Sequence, residues 1–91
     1  TAAQAAPSAG NYNKLGMHLL DTGMLDEATD AFLQAIASDA NVPEPYFYLG
    51  QIYERQAQAD QALDYYQLYL DIAPPDGHLR PEAEAALARL Q

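Results

Sequence analysis

His18 and Asp21 stand three residues apart on one helical turn, a spacing at which an imidazole and a carboxylate could share a metal ion. No second histidine motif accompanies them, and the competing reading packs His18 near a helix interface. His78 follows the turn Pro74-Pro75-Asp76-Gly77 and reads as solvated. Asp26, Glu27 and Asp30 line one helix without the loop or the ligand spacing of a calcium site. No nucleophile–base pairing, phosphate-cradling glycine loop or cofactor fingerprint appears. The residues therefore predict no catalytic, metal or cofactor site, and a chain that is not an enzyme. Seven tyrosines offer ring faces for nucleobase stacking. Against that stand 13 acids and only 4 Lys+Arg, a net charge of -9. Nucleic acid needs a basic track, and scattered cations cannot supply one.

The same charge disfavours an anionic membrane surface. No apolar run approaches the roughly 18 residues of a membrane span; the longest candidate, Tyr65 to Leu70, is interrupted by Gln67. At 91 residues and 49% apolar, the composition suits one small domain with a core. The absence of cysteine fits a reducing or an oxidising compartment, cytoplasmic or periplasmic.

Residues 1–8 are small or polar and uncharged, and read as a flexible linker without the basic start and apolar middle of a signal peptide. Apolar residues then recur at helical spacing in five stretches: Asn11 to Thr22, Leu25 to Ala37, Pro45 to Gln56, Asp60 to Ile72 and Pro81 to Leu90. Gly23 punctuates the first pair, Pro43 and Pro45 frame the third, and Pro74 to Gly77 separates the fourth from the fifth.

Two of these pairs are copies. Tyr12, Leu15, Gly16, Leu19, Gly23, Ala28, Phe32 and Ala35 are matched 34 residues later by Tyr46, Leu49, Gly50, Tyr53, Ala57, Ala62, Tyr66 and Tyr69. That period is a mark of stacked helical hairpins. Gly16 and Gly50, with Ala28 and Ala62, are the points where paired helices approach closely. Tyr12 and Leu15 are expected against Phe32, and Tyr46 and Leu49 against Tyr66. A bulky residue at Gly50 would overpack the contact.

In period, small residues and aromatic positions, residues 9–76 resemble the tetratricopeptide repeat family. The resemblance implies an all-α fold, a right-handed stack of two helix-turn-helix hairpins with a terminal capping helix. It divides 9–91 into repeats 9–42 and 43–76 and a cap over 81–90. Pro74 falls where the family often has proline. Ala40 and Ala57 depart from its proline and turn glycine, and Tyr69 occupies a place that is usually small, so that it either splays the second hairpin or makes room for the last helix. Glu84 stands 34 residues after Gly50, where a charge forbids close helix contact, so 81–90 reads as a cap with Glu82, Glu84 and Arg89 outward.

The family's concave face maps here to Asn13, Met17, Leu20 and Asp21, then Phe47, Gln51, Glu54 and Arg55, with Lys14 and Tyr48 at the rim. Asn13, Met17, Leu20, Phe47, Gln51 and Glu54 are the expected partner-binding residues. Phe47, large and set away from its helix's packing stripe, is the expected anchor. The competing readings pack Met17, Leu20 and Phe47 between hairpins, or fold the last helix over the groove. The two-cation, two-asparagine clamp of some family members would fall on Asn13, Met17, Tyr48, His78 and Glu82, which lack its cations. Recognition of a carboxylate tail is rejected, and an apolar or basic segment suits the groove instead.

The resemblance implies a protein–protein interaction module, an adaptor or assembly scaffold holding a peptide or helix of a partner. The alternatives are a self-association module, dimeric through the open flank of the first hairpin at Tyr12, Leu19 and Leu20, and an accessory domain of a larger enzyme.

Overall fold

Ser8 opens the first helix. Its Oγ accepts the backbone N–H of Asn11 at 3.1 Å, filling one of the donors that a helix start leaves without a partner. The structure, a computed structural model, describes residues 8–91. Apart from Ser8, the linker expected over 1–8 lies outside the described residues. The chain then forms α1 (Ala9–Asp21), α2 (Leu25–Ser38), α3 (Glu44–Arg55), α4 (Ala59–Ile72) and α5 (Arg80–Leu90), with no strand among the described residues. Helix α1 begins two residues ahead of the expected Asn11, because Ser8 caps it.

α1 pairs with α2 and α3 with α4 as hairpins; α2 bridges to α3, and α5 lies on α4. The stack is elongated, 48 × 29 × 18 Å. Both hairpins close on a glycine. A Cβ at Gly16 would sit 2.6 Å from the Phe32 ring, and one at Gly50 would sit 2.9 Å from the Tyr66 ring. No side chain fits at those distances without moving the helices apart. The flanking residues differ between copies. Leu49 is fully buried, whereas Leu15, expected against Phe32, is 48% exposed.

Two core clusters result. One joins the hairpins through Leu20, Ala28, Phe32, Leu49 and Ile52. The other joins the second hairpin to α5 through Phe47, Ala62, Tyr66, Tyr69, Ala83 and Ala86. Tyr69 explains its departure from the small residue of the repeat pattern. It is 1% exposed, and its hydroxyl accepts the Leu79 N–H at 3.2 Å just ahead of α5. It fills the junction of α4 and α5 while Gly50 and Tyr66 keep their close approach. Arg80 secures the same junction from the other side, donating to the carbonyls of Leu70 (3.0 Å) and Ala73 (3.1 Å) at the end of α4.

The turn between α3 and α4 carries a local misfit. Gly23 adopts φ +81 between α1 and α2, and its counterpart Ala57 is held at φ +60. A left-handed backbone costs a Cβ-bearing residue about 1–2 kcal/mol. Glycine removes that cost but gives the unfolded chain more freedom. Ala57→Gly is therefore expected to stabilise the chain by about 0.5–1 kcal/mol, read as a rise of ~2–6 °C in Tm. An unchanged or lower Tm would show that the Ala57 methyl makes compensating contacts.

Candidate functional site

One side of α3 faces α5 across an open groove of about 510 Å³. Phe47 and Tyr66 lie on its inner side, Gln51, Glu54 and Arg55 come from α3, and α5 supplies Glu82, Ala85, Ala86 and Arg89. These elements meet because α4 buries Tyr66 against α3 and buries Tyr69 against the start of α5. Two alanines on α5 keep its wall low, so the space remains open.

Glu54 is the hub of the polar rim. It accepts the Tyr66 hydroxyl at 2.8 Å, and the Arg89 guanidinium meets both its oxygens, with Nη2 at 2.9 and 2.7 Å and Nε at 3.1 Å. This forked pair fixes α5 to α3 across 35 residues of chain. Burial pushes the Glu54 carboxyl up, but the hydrogen bonds from Tyr66 and Arg89 outweigh it and hold the group below its ordinary value. Tyr66 moves the opposite way: burial and the Glu54 carboxylate both disfavour its anion. The groove is lined by two acids, Glu54 and Glu82, and two guanidiniums, Arg55 and Arg89, so it is balanced in a chain of net charge -9.

The Glu54 carboxyl titrates lower in the folded chain than in the unfolded one. Its contribution is complete above the ordinary carboxylate value and is lost as pH falls through the depressed one. Arg89 is 55% exposed, which keeps the effect small. We expect Glu54→Gln to melt a few degrees below the parent at pH 7, with the gap closing below pH ~4. A gap that persists at pH 3 would assign it to packing and not to charge.

Tyr48, expected at the rim, is half-buried and stacked on Phe32 at 5.4 Å, with Phe47 edge-on at 5.5 Å. Burial, and then the carboxylates of Glu44, Glu82 and Asp21, push its phenol up. Acids of α1, α3 and α5 thus share one neighbourhood on this side of the stack.

The expected partner-binding residues separate into three groups. Gln51 and Glu54 line the groove and reach solvent. Phe47 also borders it, but the expectation that it stands clear of the packing stripe is corrected: it is 2% exposed and packs edge-on against Tyr66 and Tyr69. Leu20, 6% exposed, is likewise core, joined with Phe32, Leu49 and Ile52. Asn13 and Met17 sit together on α1, with the Asn13 amide Nδ2 3.6 Å from the Met17 sulfur, outside the groove lined by α3 and α5. The clamp positions His78 and Glu82 are exposed.

The sequence makes α5 a cap, with a last helix folded over the groove as the competing reading, and α5 does form one wall of the groove. The signal lay in the repeat register: 34 residues beyond Gln51 and Arg55 stand Ala85 and Arg89, both on the groove. His18 is exposed and not packed at a helix interface, whereas its counterpart Ile52 is buried in the cluster that joins the hairpins. Asp21, Asp26, Glu27, Asp30 and His78 are exposed too. Among the described residues no three His, Cys, Asp or Glu side chains come together as metal ligands, and no helix is long and apolar enough to cross a membrane.

Two family models, both described as tetratricopeptide repeat, match the chain, one over residues 9–42 and one over residues 31–64. Together they run from the first residue of α1 into α4. No curated protein matches the chain.

Proposed function

This chain belongs to the tetratricopeptide repeat family, whose repeats are generally protein–protein interaction modules and typically non-catalytic scaffolds, and from that premise we propose that it holds a short segment of a partner protein in the groove between α3 and α5. The reading treats 9–42 and 43–76 as the repeats and α5 as a cap that also builds the groove. The observation that carries it is the groove itself: an aromatic inner side under a charge-balanced rim, with Gln51 in its lining. Gln51 offers both a donor and an acceptor to a peptide backbone. Glu82 in the lining, in a chain of net charge -9, favours a lysine or arginine of the partner. Ala85 and Ala86 leave room for one apolar side chain beside it.

The test is selection from a random peptide library displayed on phage, with the intact chain as bait. Enrichment of peptides pairing a basic with an apolar residue is expected, and Gln51→Ala with Glu82→Lys should weaken them at least tenfold at unchanged Tm. Selected peptides indifferent to both substitutions would sink the groove. Enrichment of acidic peptides would sink the charge assignment.

A further inference from the structure

The groove is balanced in total but not along its length. Of its four charges, Glu54 and Arg89 cancel each other: the fork between them engages both carboxylate oxygens at 2.7 to 3.1 Å, and the Tyr66 hydroxyl adds a further bond. Glu82 and Arg55 are both exposed, and neither forms an ion pair among the described residues. The charges left for a ligand are thus one acid and one base. Each suits the dipole of its own helix, Glu82 in the first turn of α5 and Arg55 in the last turn of α3. That accounts for their presence without using up their hydrogen-bonding groups. They stand at opposite ends of the groove. Arg89, level with Glu54 and so with Arg55, is seven residues beyond Glu82 on α5. Seven residues of helix span roughly 10 Å. The phenols on the inner side agree with this placement. Tyr48 is pushed up by burial and then by Glu44 and Glu82, so Glu82 lies within electrostatic reach of the start of α3. Tyr66 is pushed up by burial and by Glu54 against the pull of Arg89 and Arg55, so both guanidiniums reach the same hydroxyl.

Resting on the reading that this groove holds a segment of a partner protein, we propose that it selects a segment of opposite charges: a lysine or arginine for Glu82 and, farther along, an aspartate or glutamate side chain for Arg55. The apolar residue lies between them, beside Ala85. The planar guanidinium of Arg55 can take a carboxylate through two parallel hydrogen bonds. An extended segment rises about 3.3 Å per residue, so the two charges belong roughly three to five residues apart once side-chain reach is included. The pair contributes discrimination more than affinity. A wholly basic segment would set a like charge against Arg55, and a wholly acidic one would set a like charge against Glu82. Residues 1–8 hold no charged side chain and cannot supply the pair.

The test selects from one random peptide library displayed on phage, with the intact chain and its Arg55→Glu, Glu82→Lys and Glu84→Lys variants as separate baits. All three positions are exposed, so the variants should melt like the parent. The parent is expected to enrich peptides that carry a base and an acid at the stated spacing. Arg55→Glu should weaken those peptides at least tenfold and enrich others with a base in place of the acid. Glu82→Lys should enrich peptides with an acid in place of the base. Glu84→Lys makes the same charge change outside the groove lining and should select as the parent does. Arg55→Gln, which removes the charge without reversing it, should weaken the parent's peptides in the same direction and by less. Synthetic copies of those peptides should bind equally with a free or an amidated C-terminus, and loss on amidation would overturn the side-chain assignment. Peptides weakened by Gln51→Ala yet indifferent to both Arg55 variants would leave the groove reading standing and overturn this inference alone. Peptides indifferent to Gln51, Glu82 and Arg55 alike, or a library that yields no binder, would sink both. Sedimentation showing the chain associating with itself, and losing that association in Arg55→Glu, would assign the groove to a second copy and overturn the proposal too.

Discussion

Phe47→Ala is expected to destabilise the chain by about 3–5 kcal/mol, the usual cost of removing a buried phenylalanine. The ring is 2% exposed and meets Tyr48, Tyr66 and Tyr69 edge-on at centroid distances of 5.5, 5.5 and 5.7 Å. Those neighbours cannot collapse into the space it would leave. Tyr66 is held by its hydrogen bond to Glu54, Tyr69 by the Leu79 N–H, and Tyr48 by its stack on Phe32. Since small domains are stable by only ~5–15 kcal/mol in all, the variant should be substantially unfolded near physiological temperature. Urea denaturation of Phe47→Ala beside Phe47→Leu checks this. Leucine keeps most of the volume, and its loss should be much the smaller. A loss under 1 kcal/mol for alanine would mean that the ring is peripheral and free to serve as a partner anchor. If the large loss is found, weakened partner capture by the alanine variant reports unfolding and says nothing of direct contact.

The misplacement of Phe47 shows where a sequence of this kind stops being legible. The helices and the two close approaches at Gly16 and Gly50 are readable because they repeat at a fixed spacing, so one copy checks the other. A helix inside a stack is buried on more than one side, however, and a single apolar stripe describes only one of them. In α3, Leu49 and Ile52 face α2, Gly50 faces α4, and Phe47 belongs to the cluster shared with α5. That third contact could not be weighed from sequence, because α5 buries mainly Ala83 and Ala86, which give a weak periodic signal. In the candidate site, Gln51 and Glu54 are legible through the family resemblance, which maps the concave face onto α3. The Arg89 fork on Glu54 was not: it joins residues 35 apart on helices with no direct connection, and only the docking angle of α5 brings them together. The positive φ at Ala57 has a similar status. Its position is legible as the counterpart of Gly23, but that alanine takes up the glycine conformation instead of changing the turn is a property of the packed helices on either side.

Ending the chain at Arg80, so that the body of α5 is lost, is expected to abolish cooperative unfolding. The helix buries Ala83 and Ala86, half-buries Leu87 and Leu90, and covers Phe47, Tyr66 and Tyr69, all three within 2% of full burial. Re-exposing on the order of 150 Å² of apolar surface costs roughly 4 kcal/mol, enough to bring a domain of this size near its folding midpoint. Two repeats already share fewer interfaces than the three that a stack of this kind usually requires, so little stability is left to absorb the loss. The exposed rings should also make the truncated chain bind a hydrophobic dye and aggregate as its concentration rises. Charge does not confound the comparison. The cut removes Glu82, Glu84 and Arg89, two acids and one base, so the net charge changes by only one unit from -9. Nor does it remove the ties that close the end of α4, because Arg80 keeps its bonds to the Leu70 and Ala73 carbonyls and the Leu79 N–H keeps its bond to Tyr69. What is lost is therefore the cover over Phe47 and its neighbours. Calorimetry and dye binding on the parent and the truncated chain measure it directly, and a truncated chain that melts as sharply as the parent, within a few degrees and without dye binding, would show that α5 is dispensable to the fold and serves the groove alone.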